Sequence, residues 1–297
     1  MEVFVAIALV FAYGGVLGFA MTGSPARRAL LVGVAALALA APFARHGASF
    51  GVRVVLAGGL SISFLRLVDL ALDRHPLSAA RRILHATMMI ELRRTKRIPR
   101  HLHVRALAHV LLMGSLTALS VAGFAYLPPT GELSSRIARG LLGIVFAYAS
   151  FDAGCALVMV LWSALGFDVP LLHNHPIKSR TVAEFWSQRW NRIVGSWLRT
   201  HCFTPLARRR HARLGVMAAF AASTLLHVYL AWAVFDARGA MMWALFFGLQ
   251  IPIVFTERAL RVSSWPAPIA RLWTVVVLCA ASPFFVEPIL RSFESLR

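Results

Sequence analysis

LGVMAAFAASTLLHVYLAWAVF, Leu214 to Phe235, contains no Asp, Glu, Lys or Arg in 22 residues, and its only histidine, His227, sits past the middle. Coiled as an α-helix, such a run is about 33 Å long, enough to cross a hydrocarbon core of roughly 30 Å. Imidazole at that depth is costly to place. Side chains of this kind usually face a bundle interior or a watered cavity and mark a working site, so His227 is a candidate catalytic residue.

Outward from this run, comparable apolar stretches recur over about 2–21, 29–43, 50–72, 106–127, 137–163, 241–260 and 269–288, which makes eight expected spans. With 59% hydrophobic and 14% charged residues and a mean hydropathy of +0.70, the chain reads as an all-α, polytopic integral membrane protein. A single membrane-embedded domain over 1–297 is the simplest division. The segment from Met1 to about Met21 lacks a basic leading region and a small-residue cleavage site, so it reads as a retained span. Cys155, Cys202 and Cys279 lie far apart with no ligand spacing, which suggests packing rather than disulfides or a cysteine metal site.

Basic residues set the expected orientation. Arg27 and Arg28, the stretches Arg74 to Arg105 and Lys178 to Arg213, and the pair Arg258 and Arg261 all fall on one side of the spans. Opposite them stand Arg45, Arg136, Arg139, Arg238, Arg291 and Arg297, an imbalance of about fourfold that makes the first face cytoplasmic and puts both termini outside. The formal net charge of +19 follows mainly from two long cytoplasmic segments, about 73–105 and 166–213. It suits anionic headgroups, and it also suits a phosphate-bearing substrate steered to an arginine-lined mouth. Nucleic acid is not expected, because no recognition motif accompanies the arginines.

In the first of these segments Ile83, Leu84, Ala86, Thr87 and Ile90 form an apolar stripe beside Arg81, Arg82, Arg93 and Arg94, an interfacial amphipathic helix. His101 and His103 have no further acidic or histidine ligands around them, so no metal is expected. His85, His101, His103, His173 and His175 do not form the dense clusters of a di-iron centre.

The second segment carries the richer signal. Thr181 and Glu184 fit a capping box that opens a helix. That helix places Phe185, Trp186, Trp190, Ile193, Val194, Trp197 and Leu198 on an apolar side and Gln188, Arg192 and Arg199 on the other. An interfacial anchor accounts for tryptophan and arginine. It does not account for Asn191, a polar amide on the Trp190 side. On the next span Ser223 and Thr224 precede His227 by four and three residues, so a hydroxyl either orients the imidazole or bonds back to its own helix. Arg66 and Asp69 in span three read as an ion pair with a snorkelling arginine.

Pro170-Leu171, the approach Pro176 to Arg180, the run Glu184-Phe185-Trp186-Ser187-Gln188-Arg189-Trp190-Asn191 and His227 together resemble the membrane-bound O-acyltransferases, and within them the wax-synthase branch. Arg66 to Ala71 is a weaker similarity. The chain departs from larger relatives at Gln188-Arg189-Trp190, and Val228 stands where plant-type members often have an acidic residue. The resemblance implies transfer of a long-chain acyl group from acyl-CoA, as co-substrate, to a lipid hydroxyl, most simply a fatty alcohol. His227 is then the general base, Asn191 the second catalytic residue, and Phe185, Trp186, Arg189, Trp190 and Ser223 contact substrate. No metal or resident cofactor is implied, and a bacterial inner membrane is the expected location. Diacylglycerol, a sterol-like polycycle or a lipid-linked sugar stays open as acceptor, and acyl carrier protein as carrier. A lipid transporter or scaffold is the competing class, for which an internal inverted repeat would speak.

Overall fold

The computed structural model describes residues 1–44, 47–73, 77–88, 95–127 and 132–294. Arg45, Arg74, Ile90, Arg93, Arg94 and Arg297, which entered the charge and stripe readings, lie outside the described residues. In chain order the helices are α1 (Glu2–Ala20), α2 (Pro25–Ala38), α3 (Ala41–Ala44), α4 (Phe50–Leu72), α5 (Ala79–Thr87), α6 (Val104–Tyr126), α7 (Leu133–Ala164), α8 (Val182–Glu184), α9 (Arg192–Leu198), α10 (Thr204–Arg208), α11 (Ala212–Val234), α12 (Ala237–Ala259), α13 (Ala267–Ala281) and α14 (Pro283–Glu294). One two-residue antiparallel ladder, Lys96–Arg97 against Phe167–Asp168, interrupts an otherwise helical chain.

Among the described residues, seven helical segments are long and apolar enough to span a bilayer: α1, Pro25–Ala44, α4, α6, α7, α11 and α12. The expected last span is broken. α13 and the stretch Pro283–Phe293 together pass the same test but bend by 49°. Pro283 starts the second piece without an amide hydrogen to continue the first, and the Ser282 hydroxyl donates to the Cys279 carbonyl at the break. Leu30, Leu37, Leu111, Leu119, Leu161 and Leu272 stand exposed on these helices, which is tolerable only against lipid. The protein is a multi-pass integral membrane protein.

The described residues group into two compact units. Met1–Arg94 with Leu226–Ala240 form the first; Thr95–Leu225 with Met241–Arg297 form the second. In the first unit, α5 lies against α1 because Gly14 and Gly18 carry no side chain: a Cβ on Gly18 would sit 2.8 Å from Ala86 Cβ. Arg82 then donates to the Gly18 and Phe19 carbonyls at 3.2 and 3.1 Å. α5 was expected as an interfacial helix; it is instead docked, with His85 and Ala86 fully buried. Arg66 pairs with Asp69 at 3.0 Å, and His85 Nε2 comes within 3.4 Å of the same carboxylate.

In the second unit, α6 and α7 form a hairpin whose end is tied by Arg139, which donates to the Leu127 carbonyl at 2.7 Å. His103 is engaged as a cap: its Nδ1 accepts from Ala106 N at 3.2 Å at the start of α6. Val182, Val216 and Val254 make a core around which Trp186, Phe203 and Phe220 pack, and Phe246, Phe247 and Ala281 make another beside Trp186 and Trp243.

Candidate active site

The expected helix from Thr181 onward begins as predicted and then departs from the α pattern. Thr181 Oγ1 accepts from Glu184 N at 3.0 Å, but Glu184 Oε2 accepts from Arg180 N at 2.8 Å, one residue ahead of the capping-box position. After the single turn α8 the chain forms a π-helical turn, Phe185–Arg189, closed by Trp190 N donating to the Phe185 carbonyl at 2.8 Å. The helix then stops. Asn191 adopts the left-handed region (φ 36°, ψ 63°) and caps α9, its Oδ1 accepting from Val194 N at 3.4 Å. Asn191 therefore does not share a continuous helical face with Trp190 and Val194, as the periodicity suggested. Asn is one of the few residues that enter this region readily, and with Oδ1 turned to the helix its Nδ2 hydrogens remain for another acceptor.

Two partners on α12 fix the segment from the other side. Both carboxylate oxygens of Glu257, which is 2% exposed, accept from the first amides of α8: Val182 N at 2.7 Å and Ala183 N at 2.8 Å. A carboxylate on the open amides of a helix start satisfies them and favours its own negative charge. One helical turn pair earlier, Gln250 Oε1 accepts from Trp186 Nε1 at 3.0 Å.

On the near side, the extended stretch Leu172–Asn174 runs beside the motif. Asn174 N donates to the Arg189 carbonyl and Arg192 N to the Leu172 carbonyl, each at 2.9 Å. Arg189 strengthens this join, with Nε on Glu184 Oε1 at 2.6 Å and Nη1 on the Asn174 carbonyl at 3.0 Å. Phe185 and Trp190 stack with centroids 5.3 Å apart and planes 16° apart, and Phe151 of α7 stacks on Trp190 at 5.2 Å and 18°.

The structure thus brings Phe185, Trp186, Arg189, Trp190 and Asn191 together as one held segment of the second unit. Ser223 is buried on α11 in the same unit. His227 lies one turn further along α11, half-buried, and belongs to the first unit. Thr224 resolves one of the alternatives left by the sequence, since its hydroxyl donates to the Phe220 carbonyl of its own helix at 2.8 Å.

A cluster that the sequence reading passed over adjoins the motif. His173 Nδ1 lies 3.0 Å from Asp152 Oδ1, and His109 Nε2 lies 2.8 Å from Asp152 Oδ2. The His173 ring packs 4.4 Å from Trp190 and 5.0 Å from Phe151. Asp152 in α7, His109 in α6 and Glu257 in α12 are ionisable groups within spans. The rule that singled out His227 selects all three when applied to every span.

Residues 169–249 match the Membrane bound O-acyl transferase family. The chain is 28% identical over 200 residues to the Arabidopsis thaliana protein called "Probable long-chain-alcohol O-fatty-acyltransferase 3", covering 60% of this chain and 57% of that one. It is 28% identical over 208 residues to "Probable long-chain-alcohol O-fatty-acyltransferase 9" of the same plant, covering 62% and 58%. With "Probable long-chain-alcohol O-fatty-acyltransferase 1", also from that plant, it shares 29% over 117 residues, 37% and 34% of the two chains. The match to the first two takes in just over half of their own length. The matched segment begins just before His173, contains the whole Phe185–Asn191 turn and extends past His227. Through this segment the chain belongs to the membrane bound O-acyl transferase family.

Proposed function

We propose that the protein transfers a long-chain fatty acyl group from acyl-CoA to the hydroxyl of a long-chain alcohol, forming a wax ester. The observation that supports this reading is the clamped Phe185–Asn191 segment, which ends in an amide with donors to offer and coincides with the family match. The relatives named above carry long-chain-alcohol acyl transfer in their names.

Esterification needs a proton removed from a poorly acidic hydroxyl and an oxyanion stabilised at the thioester carbon. His227 takes the proton as the alcohol oxygen attacks the carbonyl carbon, since a neutral imidazole is basic at working pH. Asn191 Nδ2 donates to the developing oxyanion, a contribution of about 10²–10³ in rate for one such donor. The carbon–sulfur bond then breaks, and the departing thiolate takes up the proton held by the imidazolium. No acyl-enzyme forms. Trp186, Trp190 and Phe185 line the acyl and pantetheine path. The basic loops collect the phosphates of coenzyme A. We place the protein in a bacterial inner membrane on charge asymmetry and composition; the relatives named are plant proteins.

The test is ester formation by purified, detergent-solubilised protein given labelled long-chain acyl-CoA and a panel of fatty alcohols, diacylglycerol and a sterol. His227→Ala and Asn191→Gly proteins of matched folding run beside it. Product with fatty alcohol, lost in both variants, is expected. Product with another acceptor reassigns the substrate, and unchanged turnover in His227→Ala removes the base.

A further inference from the structure

Asp152 carries one carboxylate in a transmembrane helix, and its two oxygens are divided between two histidines: Oδ1 to His173 Nδ1 and Oδ2 to His109 Nε2. A carboxylate accepts, so the hydrogen of His173 resides on Nδ1 and the Nε2 lone pair is left bare. That Nε2 is fully enclosed and has no hydrogen-bond partner. The His173 side chain is only 3% exposed. His109, at 38%, connects the same carboxylate toward the outside of the unit.

Buried polar atoms are almost always paired, so an enclosed imidazole nitrogen without a partner calls for a missing donor. The rings packed around His173 define what that donor is. Trp190 at 4.4 Å, Phe151 at 5.0 Å and Tyr148 at 6.5 Å surround it with aromatic carbon. Isolated water needs two to four polar partners and finds poor company among such rings. Asp152 repels an anion. Arg189, the cation of the adjoining motif, is held by Glu184 and the Asn174 carbonyl. Of the other titratable groups, Cys155 shares α7 with Asp152 and Tyr148. One lone pair amid aromatic faces matches one hydroxyl at the end of an aliphatic chain.

We propose that His173 Nε2, set by Asp152, is the docking point for the hydroxyl of the acceptor lipid, which donates its hydrogen bond there while its chain lies against Trp190 and Phe151. The proposal deepens the acyl-transfer reading and rests on it for the identity of the lipid as acceptor. His173 binds and aims the hydroxyl and takes no proton in the step assigned to His227.

His173→Asn keeps an amide hydrogen for Asp152 and deletes Nε2; His173→Gln keeps a polar group near Nε2 and releases Asp152. The alcohol KM of His173→Asn should rise about tenfold, the worth of one hydrogen bond, with the acyl-CoA KM unchanged and His173→Gln partly restored. An unchanged alcohol KM in His173→Asn overturns the proposal. A second measurement needs neither turnover nor a variant. Wild-type protein is photolabelled with a long-chain alcohol carrying a diazirine beside the hydroxyl, and the labelled peptides are mapped. Labelling at His173, Phe151 or Trp190 that unlabelled alcohol competes, and an alkane of equal length does not, is expected. Labelling elsewhere only, or equal competition by the alkane, overturns the proposal. If wild type makes no ester but this labelling holds, the transferase reading fails and the hydroxyl site stands.

Discussion

Trp186 and Gln250 are joined by a hydrogen bond of 3.0 Å from the indole nitrogen to the side-chain amide oxygen, so the first tryptophan of the motif is fixed by an uncharged group inside a membrane span. Gln250 is fully buried, and its Nε2 donates to the Phe246 carbonyl. Trp186→Phe leaves the amide oxygen orphaned, and Gln250→Leu orphans the indole; each should lower stability by about 1–3 kcal/mol. The double variant should lose clearly less than the sum, because both partners leave together. Thermal unfolding of the four proteins in one detergent measures this, and strict additivity counts against the bond.

Glu257→Gln offers one acceptor where two amides converge. The NH₂ group then faces Val182 N or Ala183 N, an uncompensated donor pair worth about 1–3 kcal/mol. Hydrogen exchange at residues 182–189 should quicken while exchange in α6 stays as in wild type. Equal exchange in 182–189 would sink the view that Glu257 holds the start of the motif.

Asn191 combines two properties that substitution separates. Glycine enters the left-handed region freely, whereas alanine is strained there by roughly 1–2 kcal/mol. Asn191→Gly should melt close to wild type yet lose ester formation by about 10²-fold, the loss of one oxyanion donor. Asn191→Ala should lose both. If Asn191→Gly retains turnover, the residue serves the backbone turn alone.

Cys202 lies in a π-helical turn between α9 and α10, and burial pushes its thiol pKa above the ordinary value. Thiolate is the reactive form, so alkylation at neutral pH should run slower than that of a free thiol. Its rate should keep climbing with pH beyond the point where an ordinary cysteine levels off. A plateau at the usual thiol pKa, read by mass spectrometry of the Cys202 peptide, contradicts the burial.

The spans were legible because length and hydropathy alone specify a membrane helix. Pro283 was a visible warning of the bend at Ser282, yet the apolar run continued through it. The capping role of Thr181 was legible from local chemistry, and so was the suitability of Asn191 for something other than anchoring. The π-turn was not, since aromatic spacing at 185, 186 and 190 fits an α face nearly as well. The Asp152 cluster depends on how α6 crosses α7 and on where Leu172–Asn174 returns, which places partners 43 and 21 residues apart in contact. A span-by-span search for ionisable residues finds its members singly; only the fold pairs them.

The extra residue in the π-turn sets a phase. In an α-helix, at about 100° per residue, positions five apart point well away from each other, yet Phe185 and Trp190 are stacked. Removing one residue between them would return the turn to ordinary helical pitch and swing everything downstream by about a quarter of a revolution. Trp190 would leave Phe151 and His173, and Asn191 would lose its place at the break. The spacing between the aromatic pair is therefore less forgiving than the identity of the residues it encloses: Ser187 and Gln188, both exposed, can vary freely, but their number cannot.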